Sequence, residues 1–233
     1  MAYVRNVTIG NSGTDATSYA TASVSPTNGR VLLAWVATQI TAGTPNTPTA
    51  SGTNGFSGTW TAIANVVQDQ TRLTLFRSTA ASGTAGVLTF DLGGQTNSAA
   101  VWGVDEWVDV NTTINVQSTT TGANAATNLT FSPSLAAFAS SLNGVYACVA
   151  AAGSFVTVRQ NATQGFMLQV PQAANSNGEI GGCSFYCPGE VNAPQIACSG
   201  AGSDMVGIAI EVSNSLSGGG STSSDTFLPT FRV

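Results

Sequence analysis

The residues of this chain that could do chemistry are its carboxylates, because the sequence contains no histidine. Without an imidazole, a Ser-His-Asp triad and a histidine metal site are excluded. The acids of interest lie in two groups, which are Asp105, Glu106 and Asp109 in one strand-like stretch, and Glu179 and Glu190 around a cysteine-containing segment. A glycosidase needs two carboxyl groups roughly 5–9 Å apart across a sugar. The sequence shows no aromatic groove beside these acids, and we expect no enzymatic activity.

Non-catalytic roles for these groups are the competing hypotheses. Glu106 is expected to be a partly buried carboxylate that pairs with Arg72 or Arg77. A calcium ion held by acids and loop carbonyls is an alternative, although no cofactor and no metal ion form part of the favoured prediction. Glycan binding stays open as well, through exposed aromatic rings such as Trp107 or Phe56.

The four cysteines, Cys148, Cys183, Cys187 and Cys198, do not have the spacing of a zinc site. No secretion signal is recognised at the N-terminus, so reduced thiols are the default expectation. Cys183 and Cys187 are four positions apart in a predicted strand. Because a strand rises by about 3.3 Å per residue, their Cα atoms are too far apart for a disulfide. If a disulfide forms, Cys187 with Cys198 is the favoured pair.

Residues 98–110 would position the first group of acids, and they form the longest strand-like run in the first half of the chain. Alternate side chains of a strand point to opposite faces. One predicted face looks inward and consists of Trp102, Val104, Glu106, Val108 and Val110. The other face is predicted to be mostly in contact with water and consists of Val101, Gly103, Asp105, Trp107 and Asp109.

Strand-like runs separated by turn residues make up the remainder of the chain. Residues 30–40 are apolar on both faces, which predicts a strand covered on both sides. A long loop over residues 41–59 has Phe56 as its apolar anchor, and residues 60–68, 71–79 and 86–92 predict a meander. Short strands are expected at 113–118 and 129–131, and separate strands at 193–199 and 205–213. Ser132 and Pro133 predict one or two helical turns.

This pattern predicts the fold class. The chain has about a dozen strand-like runs that never alternate with long helices, so a parallel α/β sheet is excluded. The predicted fold is all-β, an antiparallel β-sandwich, jelly-roll-like, with residues 1–214 as a single domain.

The composition restricts the class of partner. Charged residues make up 7% of the chain, against roughly 25% in ordinary soluble domains. The net charge is −5 and all six basic residues are arginines, so neither a nucleic-acid footprint nor a polybasic membrane patch is present. No apolar run is long enough to span a membrane. A surface of Ser, Thr, Asn, Gln, Ala and Gly suits packing against copies of the same chain or against other subunits. The alternative is that this composition is a general feature of soluble proteins in the host organism.

The C-terminus has its own composition. Residues 215–224 form a Gly/Ser linker, which is flexible by composition. Residues 225–233 then carry large apolar side chains on a segment too short for a core. We predict that this segment is a docking peptide that binds a partner through Phe227, Leu228, Pro229, Phe231 and Val233. Packing back onto its own domain, or fraying, is the alternative.

Residues 30–110 resemble the jelly-roll proteins of tailed-phage virions, which include capsid decoration (cement) proteins, head fibres and tail adhesins. The resemblance rests on a GxW-T strand, a hairpin with a Ser-Gly turn and a V-x-E-W strand. The matching residues are Gly58, Trp60, Thr61, Leu75, Phe76, Arg77, Ser82, Gly83, Thr89, Val104, Glu106, Trp107 and Val110. Asp109 stands where the family usually has glycine.

The resemblance implies a structural protein of the virion, assembled in the host cytoplasm. It favours a capsid decoration protein, expected to be a homotrimer, that binds neighbouring capsid subunits or other virion subunits. A tail- or vertex-associated adhesin that binds a receptor or glycan is the alternative, and a hydrolase is a third hypothesis.

Overall fold

The computed structural model describes residues 2–110, 118–131, 135, 138, 143–153, 155–160, 168–169, 173–174, 180–187 and 196–214. In these ranges the chain forms fifteen strands and a single 3-10 turn, Asn54–Phe56. The strands form three sheets, and every pairing within them is antiparallel. The predicted all-β antiparallel sandwich is therefore confirmed.

The central sheet has five strands, in the order β1 (Ala2–Ser12), β8 (Ala99–Val108), β3 (Val31–Gln39), β6 (Thr71–Thr79) and β5 (Thr61–Gln68). The small sheet has the order β2 (Ser18–Ala20), β7 (Leu88–Asp91) and β4 (Thr49–Gly52).

The large sheet has seven strands. Its main path runs through β11 (Phe155–Gln160), β15 (Ile196–Val212), β10 (Gly144–Ala152), β14 (Ile180–Cys187) and β12 (Leu168–Gln169). Two further strands pair beside this path, namely β13 (Ala173–Ala174) with β14 and β9 (Ser118–Phe131) with β15.

The central sheet is covered on both faces, so the molecule has more layers than a simple sandwich. Trp35, Leu75 and Trp107 pack against the large sheet with Tyr146 and Ile208, among other residues. The opposite face of the central sheet packs against the small sheet through residues that include Leu32, Phe76, Trp102, Tyr19 and Phe90. The prediction that residues 30–40 form a strand covered on both sides is confirmed, because every side chain from Val31 to Thr38 is buried.

The prediction that one face of residues 98–110 is mostly in contact with water was wrong. Val101, Asp105 and Trp107 are fully buried, because the large sheet covers this face. The polar signal came from Gly103 and Asp105, and both have structural reasons to be there. Gly103 makes room for Trp35, and Asp105 finds hydrogen-bond donors inside the core.

Trp35 lies in a space made by two glycines of different sheets. A Cβ on Gly103 would come within 2.6 Å of Trp35 Nε1, and a Cβ on Gly182 within 2.8 Å of its Cζ3. Gly103 is the cross-strand neighbour of Trp35 in the central sheet, while Gly182 lies in β14 of the large sheet. The indole therefore fixes how closely the two sheets approach.

Several predicted elements differ from those observed. Residues 60–68 and 71–79 form the adjacent strands β5 and β6 as predicted, but the third strand of the expected meander leaves the central sheet and becomes β7 of the small sheet. The segments 193–199 and 205–213 join into one strand, β15, with register shifts between Ser199 and Met205 where it pairs with β9. Likewise, 129–131 is the end of the longer β9, and residues 113–117 lie outside the described part.

The outer face of the large sheet also carries a core. Val145, Val149 and Phe185 pack there with Leu135 and Phe138, among other residues. The predicted helical turns around Ser132 and Pro133 fall mostly outside the described residues; of that segment the structure places only Leu135 and Phe138, both buried.

Candidate functional site

The strongest polar cluster in the described part of the chain surrounds Asp105, at the interface of the central and large sheets. Oδ2 of Asp105 accepts hydrogen bonds from Tyr146 Oη at 2.6 Å and Ser184 Oγ at 2.8 Å. Its Oδ1 accepts one from Asn6 Nδ2 at 2.9 Å. Three elements therefore meet on one carboxylate, because Asn6 belongs to the edge strand β1 and the two hydroxyls belong to β10 and β14.

Burial dominates the electrostatics of this cluster. Desolvation raises the pKa of Asp105, and the hydrogen bonds from Tyr146, Asn6 and Ser184 oppose that rise. Burial, followed by the nearby charge of Asp105, raises the pKa of Tyr146 and of the Cys148 thiol well above their ordinary values. The tyrosine and the thiol are consequently held in their neutral forms.

Aromatic rings lie against the cluster. Trp107 makes edge-on contacts with Tyr146, at a centroid distance of 5.6 Å, and with Tyr186, at 4.6 Å. Asp105, Tyr146 and Ser184 have no exposed surface. The cluster can connect sheets by charge-assisted hydrogen bonds, but a substrate in solvent does not reach it in this conformation.

Glu106 lies on the opposite face of the same strand and is also fully buried. Its Oε2 accepts a hydrogen bond from the Thr27 backbone N–H at 3.0 Å and contacts the Arg5 guanidinium at 3.4 Å. The expected pairing with Arg72 or Arg77 was wrong. Arg72 instead donates to Pro45 O and Asn65 Oδ1, because β1 and not β6 is the neighbour of β8 on that side.

These positions do not form the two-carboxylate site that the hydrolase hypothesis required. Asp105 and Glu106 point into different cores on opposite faces of the sheet, and Asp109 follows the strand at a φ of 56°. The pair needs a shared cleft with room for a sugar. Glu179 and Glu190 lie outside the described residues.

The aromatic residues proposed for sugar stacking are not on the surface. Trp107 and Phe56 are both fully buried, so the glycan platform predicted from them was wrong. Phe56 does anchor the long loop, as expected, and its carbonyl accepts a hydrogen bond from Trp60 Nε1 at 2.9 Å.

The cysteines show no metal arrangement where they are described. Cys148 is a buried free thiol and Cys183 is buried on the other face of the sheet. The side chains of Cys187 and Cys198 lie outside the described part, so their pairing stays a prediction. Within the described ranges no group of three or more Cys, Asp or Glu side chains could hold a metal ion.

A short hydrogen-bond network fixes the end of the described domain at residue 214. Asn143 Nδ2 donates to Glu211 Oε1 at 2.6 Å, and the Asn214 backbone N–H donates to Asn143 Oδ1 at 3.0 Å. Asn214 also forms a bridge with Val110. The chain beyond residue 214 therefore starts from a fixed point on the domain.

The predicted partner-binding residues Phe227, Leu228, Pro229, Phe231 and Val233 lie outside the described residues, and their role stays a prediction. The partners of Asp105, which are Asn6, Tyr146 and Ser184, were not predicted from the sequence. The available signal was an acid in the middle of an otherwise apolar strand, since such a group needs buried donors.

None of the helical structure in the described ranges is long and apolar enough to cross a membrane. Comparison of the chain with protein-family models, curated proteins and solved structures finds no match.

Proposed function

We propose that this chain is a structural protein of a phage virion, most specifically a capsid decoration (cement) protein that acts as a trimer. It is made in the host cytoplasm and binds neighbouring capsid subunits. The domain supplies a rigid body, and residues 225–233 supply the contact with the partner.

The observation that carries the proposal is the contrast between the fixed end of the domain and the composition beyond it. Asn214 is held by Asn143 and Val110, and a Gly/Ser linker follows at 215–224. The final nine residues include Phe227, Leu228 and Phe231. Burying each of these side chains against a partner contributes about 1.5–3 kcal/mol, which is enough for a tethered peptide to hold a subunit in place.

The charge distribution supports the same proposal. Asp105, Glu106 and Glu211 are buried and serve as internal hydrogen-bond acceptors. Only 7% of the residues are charged, and the burial of these three leaves even fewer charges on the surface. A surface poor in charge loses little solvation when it packs against another protein.

The test is the binding of purified protein to phage particles that lack it. Deleting residues 225–233 should leave the melting temperature unchanged and abolish saturable binding. Phe231→Ala should weaken binding about tenfold to a hundredfold, the effect of losing one buried ring. Thr230→Ala is the matched control in the same peptide and should bind as the parent does.

Unchanged particle binding by the truncated chain would refute the role of the peptide. A melting temperature lowered by the deletion would instead place the peptide on its own domain.

A further inference from the structure

Three Asn–Gly pairs lie in the described part of the chain, and they differ in how firmly they are held. The pairs are Asn28–Gly29, Asn54–Gly55 and Asn143–Gly144. In this dipeptide the glycine nitrogen attacks the asparagine amide with little hindrance, because glycine has no Cβ. The surroundings of each pair therefore decide its reactivity.

Asn28 is the least restrained of the three. It lies in the turn before β3, where Arg30 N donates to Thr27 O at 3.2 Å and Gly29 has a φ of 73°. Asn28 and Gly29 are both exposed. The Asn28 side chain makes no hydrogen bond to any described residue, and the attacking nitrogen is held by one contact, Gly29 N to Ala80 O at 2.9 Å.

The other two pairs are fixed by their neighbours. Asn54 Nδ2 donates to Ala85 O at 2.7 Å, and the attacking nitrogen belongs to Gly55, which is buried and donates to Thr84 O at 3.1 Å. Asn143 is buried, and both polar atoms of its side chain are engaged, by Glu211 and by Asn214. Attack at either site requires the surrounding structure to open first.

We propose that Asn28 is a site of spontaneous deamidation in the folded protein. The Gly29 backbone nitrogen loses its proton and forms a bond to Cγ of Asn28, and the C–N bond to the side-chain amide breaks. Ammonia leaves and a succinimide remains. Water then opens the ring at either carbonyl, which gives aspartate or isoaspartate, with no change of oxidation state.

The modification acts on a turn that contacts a buried charge. Thr27 N–H donates to Glu106 Oε2, so deamidation places a second carboxylate one residue from that contact. The isoaspartate product also adds a methylene group to the main chain of the turn. The longer main chain can no longer make both backbone hydrogen bonds to Ala80, from Gly29 N to Ala80 O and from Ala80 N to Arg30 O. The melting temperature of the modified protein should therefore fall.

The experiment follows deamidation of the intact chain at mildly alkaline pH and 37 °C by peptide mass mapping. Cleavage after arginine places the three pairs in different peptides, covering residues 6–30, 31–72 and 78–159. In the native protein Asn28 should convert at least about tenfold faster than Asn54 or Asn143. The Asn28 side chain is free to rotate in an exposed turn, whereas hydrogen bonds hold the other two side chains and must open first. In concentrated denaturant the three rates should become similar.

Two variants provide the controls. Asn28→Ser should remove the fast conversion detected in the peptide of residues 6–30, whereas the matched variant Asn54→Ser should leave it unchanged. Equal rates at the three pairs in the native protein would overturn the proposal. Faster conversion at Asn54 or Asn143, or no conversion at Asn28 while the denatured chain reacts, would overturn it as well.

Discussion

Replacing Gly182 with alanine tests the packing of Trp35 between the two main sheets. The new Cβ would stand 2.8 Å from Trp35 Cζ3 and 3.0 Å from Val149 O, whereas carbon atoms pack at about 3.5–4.0 Å. Trp35 is fully buried. It cannot move away, because its other side lies against Gly103.

The expected cost follows from this overlap. Overpacking a core typically destabilises a protein by about 1–3 kcal/mol, and for a chain of this size each kcal/mol lowers the melting temperature by about 2–4 °C. Gly182→Ala should therefore lower the melting temperature by about 2–12 °C, measured by circular dichroism and checked by urea unfolding. Gly83→Ala is the matched control, since its Cβ would meet only Pro26 O at 3.7 Å, and it should change stability by less than about 0.5 kcal/mol.

A double-mutant cycle assigns the cost to the indole. In a Trp35→Phe background, Gly182→Ala should be less destabilising, with a coupling of about 0.5–3 kcal/mol. The reasoning is refuted if Gly182→Ala is as well tolerated as Gly83→Ala, or if its cost is the same with phenylalanine at position 35.

Two further predictions concern the buried polar cluster. The pKa of Asp105 is higher in the folded than in the unfolded protein, so its contribution to stability is fully present below the unfolded-state pKa and is lost as pH rises through the folded-state pKa. Urea unfolding across pH should show the parent losing up to about 1.4 kcal/mol per pH unit relative to Asp105→Asn in that window, and parallel profiles would contradict this. The Cys148 thiol is buried and its pKa is raised, so iodoacetamide at pH 8 should leave it unmodified in the native protein and alkylate it in denaturant; equal labelling in both would contradict its burial.

Individual strands were predictable where their own residues carry a complete signal. Thr71–Thr79 was predicted with its observed bounds, and residues 30–40 showed by apolar side chains on both faces that their strand is covered twice. Such a pattern is local and depends on neither register nor layer order.

The layering was not predictable, because it depends on elements that are weak and distant in sequence. The small sheet is made of Ser18–Ala20, Thr49–Gly52 and Leu88–Asp91. The first two are too short to show a clear alternation, and Thr49–Gly52 lies in the segment predicted to be a long loop. Residues 86–92 did predict a strand, but their alternation does not show which sheet that strand joins. The alternation of polar and apolar residues was misleading in β8, because Gly103 and Asp105 are typical of a solvent-exposed face but are buried here. The partners of Asp105 across the sheet interface, Tyr146 and Ser184, lie 41 and 79 positions along the chain, and spacing in one sequence does not reveal such a pairing.

The copy number of the chain per phage particle decides whether it is a component of the capsid surface. Quantitative mass spectrometry of purified virions, with the major capsid protein as the internal reference, gives that number. A capsid decoration protein should be present at a fixed ratio to the capsid protein, and that ratio should match the number of sites in the capsid lattice. A handful of copies per particle would contradict it in favour of a tail- or vertex-associated adhesin, and absence from the particle would contradict a virion role altogether.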